Sequence, residues 1–524
     1  MRTNINLPVL SLAALSLGVH AQASAKAKKQ QKSDKPNIVF ILADDIGYGD
    51  LSCYGATKVS TPNLDKLAKS GRQFMDMHSA SAVSTPSRYS LLTGEYSFRA
   101  NIFSPATSKT PLLFNENKLT LADVLQKSGY KTAVIGKWHL GIGKGVGQGK
   151  KRSVDWNAEL KPGPLELGFD YFFGVPVVNS IPPYVLVENH GVVGYDPKDP
   201  FVAGVRSATK AYDEKGGLST LGGAKKAHEL YIDEMLGTTF AEKSVKWIKD
   251  NKDNPFFLYL ATTNIHHPFT PNPKFVGTSK AGIYGDFIHE LDWMVGQVVG
   301  ELEKQGLLEN TIILFSSDNG GMLNHGGQGA MKLGHKINGE LFGFKFDAWE
   351  GGHSVPLIAS WKGVIKPAVS EQLISNVDMV HTFASLVGYE LGAGDAPDSY
   401  NMLPVLLGET QDNLRESLLV TAHKKTHTTY REGDWVYITA QGGGGFVKPK
   451  PGEHMFGGPA AASYYKKPNS DIENGKFKED APKEQLYNLK DDPYQTTNLA
   501  AQNPEKLAQM KAACLKAKSA PTRK

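Results

Sequence analysis

Ser84-Thr85-Pro86-Ser87-Arg88, continued by Tyr89-Ser90-Leu91-Leu92-Thr93-Gly94, is the stretch best equipped to do chemistry. Pro86 suits a first helical turn, where its missing N–H has no partner to lose. Ser84 and Thr85 are expected just ahead of that helix, where free backbone N–H groups and the positive end of the helix dipole converge. Arg88 returns over the same end after one turn. A hydroxyl held in such a corner, beside a guanidinium, suits a group that attacks an anion or becomes one. By itself the stretch reads first as a capped helix with an exposed serine.

Four other places offer reactive groups. Asp44-Asp45 follows the apolar run Asn37–Ala43, and Asp318-Asn319-Gly320 follows a similar run at 311–315. Adjacent carboxylates repel unless a cation or a proton holds them, so Asp44-Asp45 is either a cation site or a turn of solvated aspartates. Gly136-Lys137-Trp138-His139 follows the run 131–135. In an extended segment Lys137 and His139 would face one way, as an anion-binding and proton-transfer pair, although one such pair is often only surface. His266 lies past the run 256–261, while His267 precedes Pro268 and reads as structural. Lys345 is the candidate cation ahead of Glu350-Gly351-Gly352.

The elements that must position these groups are a set of buried strands. Continuous, β-branched-rich runs are the mark of strands covered on both faces, and ligands gather beyond their carboxyl ends. Further strands are expected at 74–78 and 355–360. Helices are expected from Thr61-Pro62 to Gly71 and over 119–125, 228–250 and 377–386. A long amphipathic helix carries Ile288, Leu291, Val295, Val298, Val299 and Leu302 on one face. Residues 142–225, rich in Gly, Pro and Lys, read as long loops over the active edge. From about residue 415 the segments 418–421, 435–439 and 485–487 and a closing helix at 504–515 predict a small antiparallel sheet with a helix on it. The Gly- and Pro-rich loop 442–474 is expected to reach the active edge.

At 524 residues, two domains are the natural division. Residues 1–23 have the form of a secretory signal: Arg2, an apolar run at 7–19 and Ala21-Gln22-Ala23. That run is short for a membrane span. Residues 24–35 are a basic linker. Arg2 and five lysines against Asp34 leave five positive charges before residue 36, equal to the formal charge of +5 of the whole chain. The body is therefore neutral on balance, and no nucleic-acid partner is implied. Cys53 and Cys514, the two cysteines, do not make a disulfide framework.

The pattern Ser-x-Pro-Ser-Arg-x-x-x-Leu-Thr-Gly closely resembles the signature of type I sulfatases, in their serine-type branch. Asp44-Asp45, Lys137 and His139, His266, Asp318-Asn319, Lys345 and Leu486-Tyr487-Asn488-Leu489 follow in that family's order, over roughly 36–500. Ser354 is a departure, since many relatives carry a basic residue there. The resemblance implies an alkaline-phosphatase-like α/β fold with a large mixed sheet flanked by helices in 36–414, and a smaller C-terminal α+β domain in 415–524. It implies a sulfatase acting through formylglycine, made from Ser84 by a maturation enzyme. The metal ligands would be Asp44, Asp45, Asp318, Asn319 and the modified Ser84. Arg88 and Lys137 would position the aldehyde hydrate, His139 would be the base, His266 would serve the leaving oxygen, and Lys137 and Lys345 would bind sulfate. Hard oxygen ligands fit Ca²⁺, with Mg²⁺ next. The expected substrate is a sulfated saccharide, and the expected location periplasmic or secreted, without stable membrane insertion. The alternatives are a formylglycine-dependent phosphonate or phosphodiester hydrolase and a catalytically silent glycan-binding homologue. Trp349, His353 and the loop 442–474 are the candidates for the sugar subsite.

Overall fold

The computed structural model describes Met1 and residues 35–523, apart from 116, 148–151, 207–220, 451, 455–456 and 468. The expected signal segment and almost all of the linker lie outside the described residues.

Among the described residues, ten strands form one sheet. In chain order they are β1 (Asn37–Ala43), β2 (Arg72–Phe74), β3 (Lys131–Lys137), β4 (Tyr171–Val175), β5 (Val187–Glu188), β6 (Gly191–Val192), β7 (Phe256–Ala261), β8 (Thr311–Ser317), β9 (Leu357–Ser360) and β10 (Ala368–Ser370). Their spatial order is β10-β2-β9-β8-β1-β7-β3-β4-β5-β6. The apolar run of β1 is continuous because both faces are covered. Ile38, Phe40 and Leu42 enter one hydrophobic core, and Val39, Ile41 and Ala43 enter the other. Burying each of the larger side chains contributes about 1.5–3 kcal/mol. Helices α3 (Leu121–Lys127) and α6 (Met379–Val387) close the first face. Helices α1 (Pro62–Ser70), α4 (Leu236–Asn251) and α5 (Gly282–Lys304) close the second. Ile288, Leu291, Val295, Val298 and Leu302 of α5 pack inward as their spacing predicts.

Register places the chemistry. β8, β1, β7 and β3 are mutually parallel, with Ala43 opposite Ser317 and Ala261 opposite Gly136. The residues following these strands therefore emerge at one edge. β9 runs antiparallel to β8, with Leu357 opposite Ser316, so the segment that enters it starts from that same edge.

Four more strands form a second, antiparallel sheet: β11 (Ser417–Thr421), β12 (Thr428–Glu432), β13 (Trp435–Ile438) and β14 (Gln485–Asn488), in that order. Helix α7 (Pro504–Ser519) lays Met510 and Cys514 on it, among Leu418, Tyr430 and Leu486. Cys53 and Cys514 are free thiols.

Several expectations need correction. The strand at 74–78 divides: β2 ends at Phe74, and Met77–His78 pairs separately with Ile374–Ser375. The helix expected over 228–250 begins at Leu236, after a short helix at Lys225–Glu229 and a 3-10 turn at Asp233–Met235, with Leu230, Ile232 and Met235 exposed. Reading 142–225 as loops missed β4, whose Phe172 and Phe173 enter opposite cores. β12 was missed because Thr428-Thr429-Tyr430-Arg431-Glu432 is mostly polar; its place between two partners makes it a strand.

Candidate active site

Helix α2 (Ser84–Thr93) begins at Ser84 itself, with Val83 as its extended N-cap, so Ser84 and Thr85 are the first helical residues rather than preceding ones. All ten of its residues are buried. Ser84 is thus a buried serine at a helix N-terminus, not an exposed cap. Gly94 closes the helix at φ 64°, the left-handed conformation that suits glycine.

The groups after the parallel strands converge on this helix end. Ser84 Oγ lies 3.1 Å from Asn319 Oδ1 and 3.3 Å from Lys137 Nζ. Lys137 also donates to Asp44 Oδ2 at 2.8 Å. Arg88 Nη2 lies 3.8 Å from Asp44 Oδ1. The same side chain grips Asp318 Oδ2 through Nε at 2.9 Å and Nη2 at 2.8 Å. Asn319 Nδ2 donates to Asp45 Oδ1 at 2.8 Å, and Lys345 Nζ reaches the same oxygen at 2.5 Å. His266 Nε2 stands 3.9 Å from Asp45 Oδ2.

His139 arrives by another route than the sequence suggested. Gly136 has φ 112° and His139 φ 58°, so the segment turns instead of staying extended. Gly136 has no alternative, because a Cβ there would stand 1.9 Å from Ala261 O. His139 Nε2 faces Ala106 O at 3.1 Å and donates to it; Nδ1 is buried without a partner. His266 is the mirror case, with Nδ1 donating to His267 O at 2.6 Å and Nε2 left toward the carboxylates.

One ligand atom from each of Asp44, Asp45 and Asp318 can be chosen so that all lie within 4.8 Å of one another. Asp44 Oδ1 and Asp45 Oδ2 are buried and make no hydrogen bond. Burial pushes the Asp44 carboxyl up to about 7 against the pull of Lys137, with Asp318 and Asp45 adding to the rise. Burial also brings Lys137 down to about 8. Asp318 would rise on burial too, but Arg88, Lys137 and Lys345 hold it well below the carboxylate range. Burial, then Lys137, Arg88 and Lys345, keep His139 neutral. Burial and the neighbouring His267 do the same for His266. Orphaned carboxylate oxygens and an amide carbonyl form an all-oxygen donor set, which fits a hard divalent cation.

Supporting residues were invisible to sequence reasoning. Asp50 accepts from Gly47 N, Tyr284 Oη and His335 Nε2 at 2.7–2.8 Å, bracing the Asp44-Asp45 loop. Asn338 ties Gly321 N at 2.9 Å to Gly343 O at 3.0 Å, joining the Asp318 and Lys345 loops. Tyr284 and His335 lie 234 and 285 residues from Asp50, so no local signal could find that brace.

Two subsite candidates are wrongly placed. Trp349 is 1% exposed and donates to Gln485 Oε1 at 2.8 Å. His353 is 1% exposed, its Nδ1 3.0 Å from His78 Nδ1. His353 belongs to an interior cluster in which Arg431 of β12 binds Asp76 through both oxygens, at 2.6 and 2.8 Å. Ser354 Oγ bonds Glu350 Oε2 at 2.8 Å, and Arg431 supplies positive charge near that carboxylate. The loop 442–474, in its described residues, does reach the active edge. Phe446 packs on Phe346, ring centres 4.7 Å apart, and His454 meets His267 at 4.5 Å.

Comparison with known proteins gives a consistent picture. Residues 36–389 match the family model Sulfatase. An N-acetylgalactosamine-6-O-sulfatase of Bacteroides thetaiotaomicron is 35% identical over 95% of this chain and 96% of its own. Steryl-sulfatase of Rattus norvegicus is 31% identical over 73% of this chain and 72% of its own. A solved structure from work on glycosaminoglycan metabolism by Bacteroides thetaiotaomicron superposes with TM-score 0.79 at 34% identity, covering 93% of this chain and all of that one. The phosphonate monoester hydrolase of Agrobacterium radiobacter, at TM-score 0.56 and 17% identity over 93% and 96% of the two chains, shares the fold.

Proposed function

The chain belongs to the sulfatase family and hydrolyses sulfate esters, and we propose that it acts on a 6-O-sulfated N-acetylgalactosamine residue of a glycan, with one Ca²⁺ ion and a formylglycine made from Ser84. The observation that carries this is the meeting of Ser84 Oγ with Asn319 and Lys137, beside three carboxylates of which two oxygens accept no hydrogen bond among the described residues. The sugar is supported by a relative of that named activity, 35% identical across nearly the whole of both chains.

Asp44, Asp45, Asp318 and Asn319 would hold the cation, with the modified residue 84 completing the set. When present, the cation draws charge from the sulfuryl oxygens, and the hydrated aldehyde places two hydroxyls on one carbon, one to attack sulfur and one to release sulfate. Arg88 fixes Asp318, and Lys137 fixes the oxygen at position 84. Lys137 and Lys345 answer the negative charge of the sulfuryl group. His139 takes the proton at its free Nδ1, being neutral already. His266 presents Nε2 toward the leaving sugar oxygen; because its one ring proton is on Nδ1, Nε2 would first take up a proton and then pass it to that oxygen.

We assign 36–414 to the catalytic part and 415–524 to a smaller α+β part, with a maturation enzyme as partner. The leader-like segment supports a periplasmic or secreted location. Among the described residues no helix is long and apolar enough to cross a membrane.

The test is a panel of defined sulfated saccharides, with an aryl sulfate and an aryl phosphodiester as controls. Release of sulfate from the 6-O-sulfated amino sugar faster than from other positions is expected. Faster turnover of the phosphodiester would overturn the assignment in favour of a phosphodiesterase.

A further inference from the structure

Beside the reactive edge lies a cavity of about 290 Å³ bounded by residues 101–106, Thr110, Leu113, His423 and Lys425. Its walls are continuous with the catalytic loops. Ala106 N donates to Thr85 Oγ1 at 2.9 Å, next to Ser84, and Ala106 O receives His139 Nε2. On the opposite wall, His423 meets the edge of Phe346 with ring centres 5.5 Å apart, and Phe346 follows Lys345. The cavity therefore sits between the His139 and Lys345 loops, alongside the position where the sulfated group must enter.

None of its distinctive groups is used by the hydrolysis itself. Phe103 is half-buried, so part of its ring is open to a ligand. Lys425 is exposed, holds its ammonium 5.1 Å from the Phe103 ring centre and makes no ion pair among the described residues. His423 keeps a buried Nδ1 without a hydrogen-bond partner. Burial, with Lys424 beside it, keeps that ring neutral and able to meet a hydroxyl. An aromatic face, a hydroxyl-reading imidazole and an ammonium without a carboxylate partner among the described residues, gathered in one small cavity, are the means of binding a sugar ring that carries an anion.

We propose that this cavity is a second subsite, which receives the sugar next to the sulfated residue and selects one bearing a carboxylate or sulfate through Lys425, with Phe103 under the ring and His423 on a hydroxyl. This rests on the glycan reading above. Carboxylate and sulfate share the recognising chemistry, and separate substrates tell them apart.

The experiment compares kcat/KM of the matured, full-length enzyme on four substrates. They are the 6-O-sulfated monosaccharide and three disaccharides in which its neighbour is neutral, a uronate or a sulfated hexose. Wild type should prefer at least one anionic neighbour over the neutral one by about tenfold, the scale of one charge-assisted contact. Lys425→Gln should erase that preference, and Phe103→Ala should reduce the gain of every disaccharide over the monosaccharide. Circular dichroism checks that both variants are folded. Equal rates on neutral and anionic neighbours, or a preference that survives Lys425→Gln, would overturn the subsite while leaving the glycan reading intact. Turnover of aryl sulfate with no saccharide cleaved would overturn both.

Discussion

Replacing His139 by Asn separates the two halves of the reaction. His139 occupies left-handed backbone at φ 58°, where Asn is among the residues best tolerated, so the turn should survive. The change removes the contact to Ala106 O, 3.1 Å in the native site, at a net cost of about 1 kcal/mol. It also removes the unpartnered Nδ1, the proposed base for the step that returns the enzyme to its starting form. A positioned base contributes about 10²–10⁴ in rate, or about 3–5 kcal/mol of barrier. The assay is rapid-mix kinetics with an aryl sulfate. The first equivalent of phenol should appear at near wild-type rate, followed by turnover slower by that factor. Steady turnover within threefold of wild type would refute the role of His139. A slowed first equivalent with no burst would move His139 to the attack on sulfur and refute the division of labour.

The metal site makes a proton-linked prediction. Asp44 is raised from its ordinary value of 3.8 to about 7, so in the chelated protein its proton favours the fold at low pH. That contribution is complete below about pH 4 and is lost as pH rises through about 7. Chelated enzyme should therefore lose thermal stability between pH 5 and pH 8, and Ca²⁺ should reverse the loss; a chelated protein whose melting point is flat over that range would contradict this. Adding Ca²⁺ at pH 6 should release protons, read as buffer-dependent heat in calorimetry. Lys345→Gln should lower kcat by about 10²–10³, as for loss of one charge-stabilising contact; activity within fivefold of wild type would remove Lys345 from the site. Arg431→Met should destabilise the fold by about 2 kcal/mol in urea titration, less than a fully buried pair because both partners are partly exposed. Burial would raise Asp76, but Arg431 and His78 hold it well below its usual range. This stabilisation is present above about pH 4 and fades as pH falls further, so the variant should differ less from wild type in acid. An unchanged gap at pH 3 would argue against the Asp76 pairing.

Much of this was legible in the chain because β1, β7 and β8 are covered on both faces, so the apolar runs 38–43, 256–261 and 312–315 end within a few residues of the reactive groups. That change, direct from Ala43 to Asp44 and from Phe315 through two serines to Asp318, marks strand end and site together. β4 and β12 were hidden because short strands take their identity from partners already in place rather than from their own pattern. Trp349 and His353 misled because aromatic and imidazole side chains near a motif look like ligand contacts, whereas both fill the interior facing the second sheet. The role of Asp50 depends on His335, 285 residues away, and those of Asn338 and His423 on loops that meet only in the fold, so they leave no local trace.

The central claim is that residue 84 acts only after oxidation, in a pocket shared with a cation. Peptide mass spectrometry across Ser84, on enzyme co-expressed with a serine-competent maturation enzyme and scored against activity, tests it directly. The account predicts that sulfatase activity rises in proportion to the fraction of peptide lacking two hydrogens at position 84. Full activity from protein carrying only unmodified serine there would contradict it.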